Sequence, residues 1–401
     1  MPFATTAPLR REIEARIPER PFSVDFWDGA RLPAKDGTGP TFFVRSPRAA
    51  AHLLRAPGQL GLGRAYVSGD IDVDDMDAVI EVLDGWKPPR LAAGDRAKLL
   101  LGVARAAGLR PPPPRPAAEL RPSGRRHSRE RDAQAVRHHY DVSNEFFSLF
   151  LDDSMTYSCA IVSRGAETLE AAQEEKLEMV CRKLALEEGD RVLDVGCGWG
   201  SFPLWAATRH GARVVGITLS PPQAERAQQR AEAAGVADRV DIRVMDYRDL
   251  AGERFDAIAS IGMVEHVGAE QIDVYARTLA RLLEPGGRLL NHGIARLRHT
   301  DPEAGPFSER YVFPDAEPLH LSRVLLALER VGFVTRHVEE FGADYAETLR
   351  HWARRLDENI EDAVRLAGPE RVRVWRLYLR MARNGFESGF LSIYQARCTL
   401  A

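Results

Sequence analysis

The stretch best equipped for chemistry is residues 191–200, RVLDVGCGWG. Val192-Leu193-Asp194-Val195 is an apolar run holding one acid, as expected of a buried parallel strand. Gly196, Gly198 and Gly200 follow, and then a helical segment, SFPLWAATRH. A glycine-rich strand-to-helix turn lets a ligand approach the backbone and points helix N–H groups at it. No Lys-Ser/Thr follows the glycines, so a phosphate-cradling loop is not expected. A nucleoside bearing an amino-acid head, S-adenosylmethionine (SAM), fits better. On this motif alone, a purely structural turn in another α/β domain is the alternative.

Three further strand ends add candidates. RVVGITLS closes on Thr218-Leu219-Ser220, with Gln223 one turn into the next helix. These supply hydroxyls and an amide where many nucleoside folds place an acid. A third strand ends at Asp246-Tyr247-Arg248. Asp246 there suits either an adenine amino group or the cap of the next turn, and Tyr247 can flank a ring. IGMVEHVG then delivers Glu265 and His266, two ionisable residues over the expected crevice.

The elements that must position these residues alternate from residue 191 onward. Strands are expected at 191–195, 213–217, 240–244, 255–260, 286–292 and 333–339, with helices at 200–210, 221–235, 269–283 and 319–331. That is an α/β, doubly wound, mostly parallel sheet, whose ligands bind outside the carboxyl ends of the strands. Segment 389–399 is expected to add an antiparallel edge strand, after a helical insertion at 344–386. Residues 1–90 suggest a small mixed or helical module, and 91–109 a helix that PPPPRP at 111–116 stops. The expected division is 1–109, a linker at 110–137, and a catalytic domain at 138–401. The linker carries eight Arg against Glu119, Glu130 and Asp132. Its Pro-rich, apolar-poor composition predicts mobility. Its charge is either simply solvated or drawn to an anionic lipid surface.

Composition sets the outer limits. The chain has 401 residues, is 44% hydrophobic and 28% charged, and carries a net charge of −3. Those values suit a globular protein of two domains and give no nucleic-acid footprint. Cys159, Cys181, Cys197 and Cys398 have neither metal-ligand nor disulfide-framework spacing, so no metal is expected and a cytoplasmic location is. The N-terminus lacks an apolar signal core, and no apolar run of about 18 residues occurs, which leaves lying on a membrane open.

Several segments together resemble the cyclopropane-fatty-acyl-phospholipid synthases. They are HYDVSNEFFSLFLDDSMTYSCA (139–160), VLDVGCGWGSF (192–202), GITLSPPQ (216–223), MVEHVG (263–268) and FGADYAETLRHW (341–352), with a weaker LGRAYVSGDIDVDD (62–75). The resemblance implies a class I SAM-dependent methyltransferase fold with a small N-terminal lipid-binding module. It implies that Tyr157 and Ser158 close over SAM, with Gly196, Gly198, Thr218, Leu219, Gln223, Tyr247 and Arg248 around the rest. A bicarbonate ion serves as base in the family; its holders here would be Cys159, Glu265, His292, Ile294 through its backbone, and Tyr345. The chain departs from the pattern at Ala382, where the family often carries Cys, and at Ile161-Val162, where an aromatic usually follows.

The implied reaction has clear physical demands. A sulfonium methyl is electrophilic enough for an alkene to attack, and the resulting carbocation must be kept dry and lose one proton. Cyclopropanation of a cis double bond in a membrane phospholipid is the leading expectation. A branch that leaves a 10-methylene chain, with a partner reductase, shares the carbocation. A small-molecule methyltransferase and a lipid-binding pseudoenzyme are the more distant alternatives. The enzyme is expected to sit peripherally on the inner face of the membrane, and the family makes a homodimer an expectation too. Phe146, Phe147, Leu149 and Phe150 suit either an acyl tunnel or a core helix face.

Overall fold

The computed structural model describes residues 5–108, 113–120, 123–132, 134, 142–297 and 305–401. Two compact units emerge, and they are not contiguous in sequence. The first takes Met1–Leu120 together with Gly305–Val312 and Gly368–Asn384. The second holds Arg121–Ala304, Phe313–Ala367 and Gly385–Ala401.

The first unit mixes a small sheet with helices. Its sheet runs β2 (Arg31–Leu32), β1 (Ser23–Phe26), β3 (Thr41–Val44), β4 (Ile71–Val73). Leu9, Val24, Phe26, Leu32, Ala50, Ala106 and Ala107 form its core, which the helices Ala7–Arg16 and Ala93–Ala107 help to close. The C-terminal segments belong here for physical reasons. Gly63 has no side chain because the Phe307 ring fills that space; a Cβ would sit 2.4 Å from it. Arg380 and Arg383 both reach Asp77, at 2.9 and 2.8 Å. The long helix Ile360–Glu387 breaks at Gly368 (φ 77°), just before Pro369, at the boundary between the units.

The second unit carries a seven-stranded sheet in the order β10-β11-β9-β8-β5-β6-β7. The ranges are β5 Arg191–Val195, β6 Arg213–Thr218, β7 Val240–Val244, β8 Phe255–Ile261, β9 Leu283–Arg296, β10 Phe333–Glu340 and β11 Leu391–Leu400. Pairing is parallel from β7 through β9 and antiparallel on both sides of β11. The doubly wound expectation therefore holds, but one detail is corrected. The C-terminal strand is antiparallel as expected, yet it is not an edge. Ile393, Tyr394, Gln395 and Ala396 are all buried, as a strand covered on both faces must be. The edge is β10, which exposes Val334 and Val338.

The expected mobile linker is also corrected for its described part. Pro113, Pro116 and Ala118 are buried. Arg126 and Arg131 pair with Asp315, and Arg129 meets Asp249 at 2.8 Å. Glu119 takes a two-pronged hydrogen bond from buried Arg64, at 2.8 and 2.6 Å, with the Tyr311 hydroxyl at 3.2 Å. These arginines thus meet acids distant in sequence, and Arg131 does so largely out of water.

That last pair sets a test. Removing one partner of a buried ion pair leaves the other charge uncompensated, at about 3–5 kcal/mol. Glu119→Leu should lower the denaturant midpoint of the first unit by a corresponding amount. A midpoint equal to wild type would show that Arg64 is solvated by other means.

Candidate functional site

A cleft opens at the carboxyl ends of β5, β6, β7 and β8, where the strand order reverses. Its floor is Asp194 and the turn Gly196-Cys197-Gly198-Trp199. Around it stand Thr218, Leu219 and Gln223, then Asp246, Tyr247 and Arg248, and Tyr157-Ser158 from the preceding loop. A fourth wall combines His127 and Asp132 with Phe313-Pro314-Asp315 and His266.

Local chemistry explains each position. The Thr218 hydroxyl donates to Gln223 Oε1 at 2.9 Å, which fixes the amide. Trp199 is anchored by its indole N–H to Asn144 Oδ1 (2.7 Å), and Arg230 donates to its carbonyl (2.7 Å). Asp246 accepts from the Arg248 backbone N–H (2.9 Å) and from its guanidinium, so it caps the turn. Arg248 also reaches Asp132 at 2.9 Å. Two residues expected at the ligand do not line the cleft. Ser220 caps helix Pro221–Ala233 through the Gln223 N–H, at 3.4 Å. Gly200, at φ 83°, begins helix Ser201–His210 and must be small because a Cβ would sit 2.9 Å from Ala227 Cβ.

The sequence reading missed Lys176. It lies 1% exposed on helix Leu169–Leu184, with its ammonium 3.0 Å from the Ser158 hydroxyl. Gln173, one turn earlier, donates to the Ser158 carbonyl at 2.9 Å. The available signal was a Gln and a Lys inside the stripe of Leu169, Ala172, Leu177 and Val180. Burial pushes the Asp194 carboxyl up to about 7, against the pull of Lys176. Burial lowers the Lys176 ammonium, opposed by Asp152, Cys159 and Asp194.

The five residues expected to hold an anion are largely buried. Cys159 is fully buried, its Sγ turned to the carbonyls of Ala160 (3.2 Å) and Phe341 (3.7 Å). Burial raises its thiol well above the usual range. Helix Gly342–Glu358 holds this segment, as Thr348 Oγ1 accepts from Ala160 N (3.0 Å) and Asp344 from Val162 N (2.7 Å). Tyr345 on that helix packs its ring against Phe386 and Trp352. The His292 ring lies 6.5 Å from that of Phe341. Burial raises the Glu265 carboxyl to about 7, opposed by its own N–H and that of Ile294. The Ile294 N–H is thus directed at Glu265. Buried Glu265 Oε2, His292 Nε2, Tyr394 Oη and Asn291 Oδ1 have no hydrogen-bond partner among the described residues. Neither Tyr394 nor Asn291 was anticipated from the sequence. Phe146, Phe147 and Phe150 form an aromatic core with ring centroids 5.7–5.8 Å apart, Phe146 meeting both of the others edge-on.

The sheet order and this cleft define a class I SAM-dependent methyltransferase. Comparison with known proteins narrows the class. Residues 127–396 match the family model described as mycolic acid cyclopropane synthetase, and the chain belongs to that family. It is 40% identical to a probable fatty acid methyltransferase of Mycobacterium tuberculosis, over 97% of this chain and 93% of the relative. It is 33% identical to the cyclopropane-fatty-acyl-phospholipid synthase of Escherichia coli, over 88% and 86%. The crystal structure of the mycolic acid cyclopropane synthase CmaA1 complexed with SAH and CTAB superposes with a TM-score of 0.63 at 32% identity, covering 67% of this chain and 98% of that one. The protein is a SAM-dependent methyltransferase of the cyclopropane synthase type.

A sulfonium or ammonium group next to Asp194 favours its carboxylate, whereas burial favours its acid. Affinity for S-adenosylmethionine should therefore weaken as pH falls below about 7, approaching a tenfold loss per unit. Asp194→Asn should bind more weakly at pH 8 and lose this pH dependence. Calorimetric titrations between pH 5.5 and 8.5 will read both.

Proposed function

We propose that this enzyme transfers the methyl group of SAM to the cis double bond of an unsaturated phospholipid acyl chain and closes a cyclopropane ring. The observation that carries the reading is that Glu265, His292 and Tyr394 are buried and each keep a polar atom with no partner among the described residues. A methyl transfer to oxygen or nitrogen needs no such set. A carbocation needs dryness and one base.

The donor inventory fits bicarbonate. Imidazole and phenol N–H and O–H groups suit an anion, and Glu265, held near neutrality by burial, can donate rather than repel. Bound there, bicarbonate would supply the base for the acyl-chain proton. Around it Cys159, Glu265, His292, Tyr345 and the Ile294 backbone exclude water and fix its place. In the cleft, Tyr157, Ser158, Asp194, Gly196, Gly198, Thr218, Leu219, Gln223, Asp246, Tyr247 and Arg248 hold and orient the methyl donor.

The name fatty acid methyltransferase, borne by the 40% identical relative, favours a second reading. In it the same alkene is methylated, a different proton leaves, and a 10-methylene chain remains for a partner reductase. Purified protein, SAM and oleoyl-phospholipid vesicles should yield acyl esters heavier by one CH₂ with no double bond. A retained exocyclic alkene would establish the second reading, and no mass gain would remove both. Glu265→Gln should lower turnover by about 10²–10⁴-fold, as loss of a group that manages the proton does, with cosubstrate affinity intact. Undiminished turnover would sink the base-site assignment.

Membrane contact is assigned to the first unit. No helix among the described residues is long and apolar enough to cross a membrane. Leu83, Leu100 and Leu101 are about half exposed, at 57, 50 and 49%. Exposed leucines of this kind suit reversible contact with lipid on the inner face, or a second copy in a homodimer. Leu100→Glu with Leu101→Glu should cut co-sedimentation with anionic vesicles while SAM affinity stays at wild type. Full co-sedimentation would place the contact elsewhere.

A further inference from the structure

His292, Gln395 and Glu339 stand in one row across three adjacent strands. His292 of β9 is the register partner of Gln395 in β11, and Gln395 is the partner of Glu339 in β10. Register partners share a sheet face. Over that face lies Lys183, from the last turn of helix Leu169–Leu184. Its ammonium is 2.6 Å from Glu339 Oε2 and 2.7 Å from Gln395 Oε1. The other end of the Gln395 amide lies 3.3 Å from His292 Nδ1. His292 and Gln395 are both fully buried.

We propose that Gln395 and Lys183 are positioning residues that set the tautomer of His292, so that its hydrogen sits on Nε2, the ring nitrogen with no partner among the described residues. The argument is a count of donors. An ammonium has hydrogens and no lone pair, so the Gln395 atom it meets is the carbonyl oxygen. The amide nitrogen must then face His292, and an amide nitrogen only donates. Nδ1 is therefore the acceptor. A neutral imidazole carries one hydrogen, which falls to Nε2. Protonating the ring would set an Nδ1–H against the amide N–H. Burial, followed by Lys176 and Lys183, opposes that by lowering the His292 pKa well below its usual value. The result is one donor with no protein partner among the described residues, His292 Nε2–H. That is what an anion requires. Glu339 completes the series by holding Lys183, which keeps the amide from turning over.

The inference rests on the reading of this pocket as an anion site, and its test separates the two. Full-length protein labelled with ¹⁵N-histidine, with His292→Asn for assignment, should show His292 protonated on Nε2 and bare on Nδ1 from pH 6 to 8. Hydrogen on Nδ1 in wild type overturns the inference, and needs no variant that has to fold. Gln395→Glu presents only acceptors, so it should move the hydrogen to Nδ1 and lower kcat about 10–100-fold, with affinity for S-adenosylhomocysteine within twofold of wild type. Lys183→Met should leave both tautomers populated, and Lys183→Arg should restore Nε2–H. A Gln395→Glu protein that keeps Nε2–H overturns the inference. Added bicarbonate should shift the His292 signals; unmoved signals with Nε2–H in place would remove the bicarbonate reading and leave the tautomer assignment standing.

Discussion

Burial of β11 between β9 and β10 is the constraint on which the candidate site depends. A strand hydrogen-bonded along both edges has no free backbone groups, and β11 is covered on both faces as well. Any polar side chain on it must find partners directly above or below, because burying an unpartnered polar group costs several kcal/mol. Tyr394 and Gln395 point to opposite faces, and the two faces solve the problem differently. Gln395 meets Lys183 and His292. Tyr394 faces the side where Asn291 donates to Tyr275 Oη (2.7 Å), and Tyr275 donates to Ser260 (2.7 Å). Gly293, its register partner, opens a slot on that side: a Cβ there would lie 2.2 Å from Val264 and 3.5 Å from Glu265 Oε2. The missing side chain is what lets the loop after β8 lay its carboxyl against β9.

Burial acts in one direction on every ionisable group near the site. It raises Asp194, Glu265 and Cys159 and lowers Lys176 and His292. Desolvation disfavours whichever form is charged. These five groups are therefore pushed toward their neutral forms, while Asp246 and Arg248 of the cleft stay charged as an ion pair. A ligand carrying one net charge enters without strong repulsion and meets groups that can respond by releasing or keeping a proton. A permanently charged site would bind one sign of ligand and exclude the other.

The local features were legible in the sequence and the nonlocal ones were not. Val192–Val195 reads as a buried strand because its four residues carry the pattern themselves, and the glycines that follow announce a turn. Ser220 and Gly200 show the limit of such motif reading, since a cap and a close helix contact select the same residue types as a ligand does. The position of β11 was invisible, because alternation reports that a segment is extended but not which strands flank it. The linker arginines were read as solvated or lipid-facing for the same reason. Asp315 and Asp249 lie more than a hundred residues further along the chain. Lys176 left a trace, a charge within an apolar stripe, and only the fold shows that Ser158 is what it meets.

The segment Tyr157-Ser158 is one wall of the cleft. The next residue, Cys159, turns toward Phe341. Such a wall needs support from behind, and it has it. Gln173 and Lys176 hold Ser158 from one helix, and Thr348 and Asp344 hold Ala160 and Val162 from another. Tyr157 is stacked on Trp352 of that second helix at 5.1 Å. Because Tyr345 rides on the same helix, any shift of Gly342–Glu358 would move this wall and Tyr345 together. Both are then set by one helix, not by two loops that must agree.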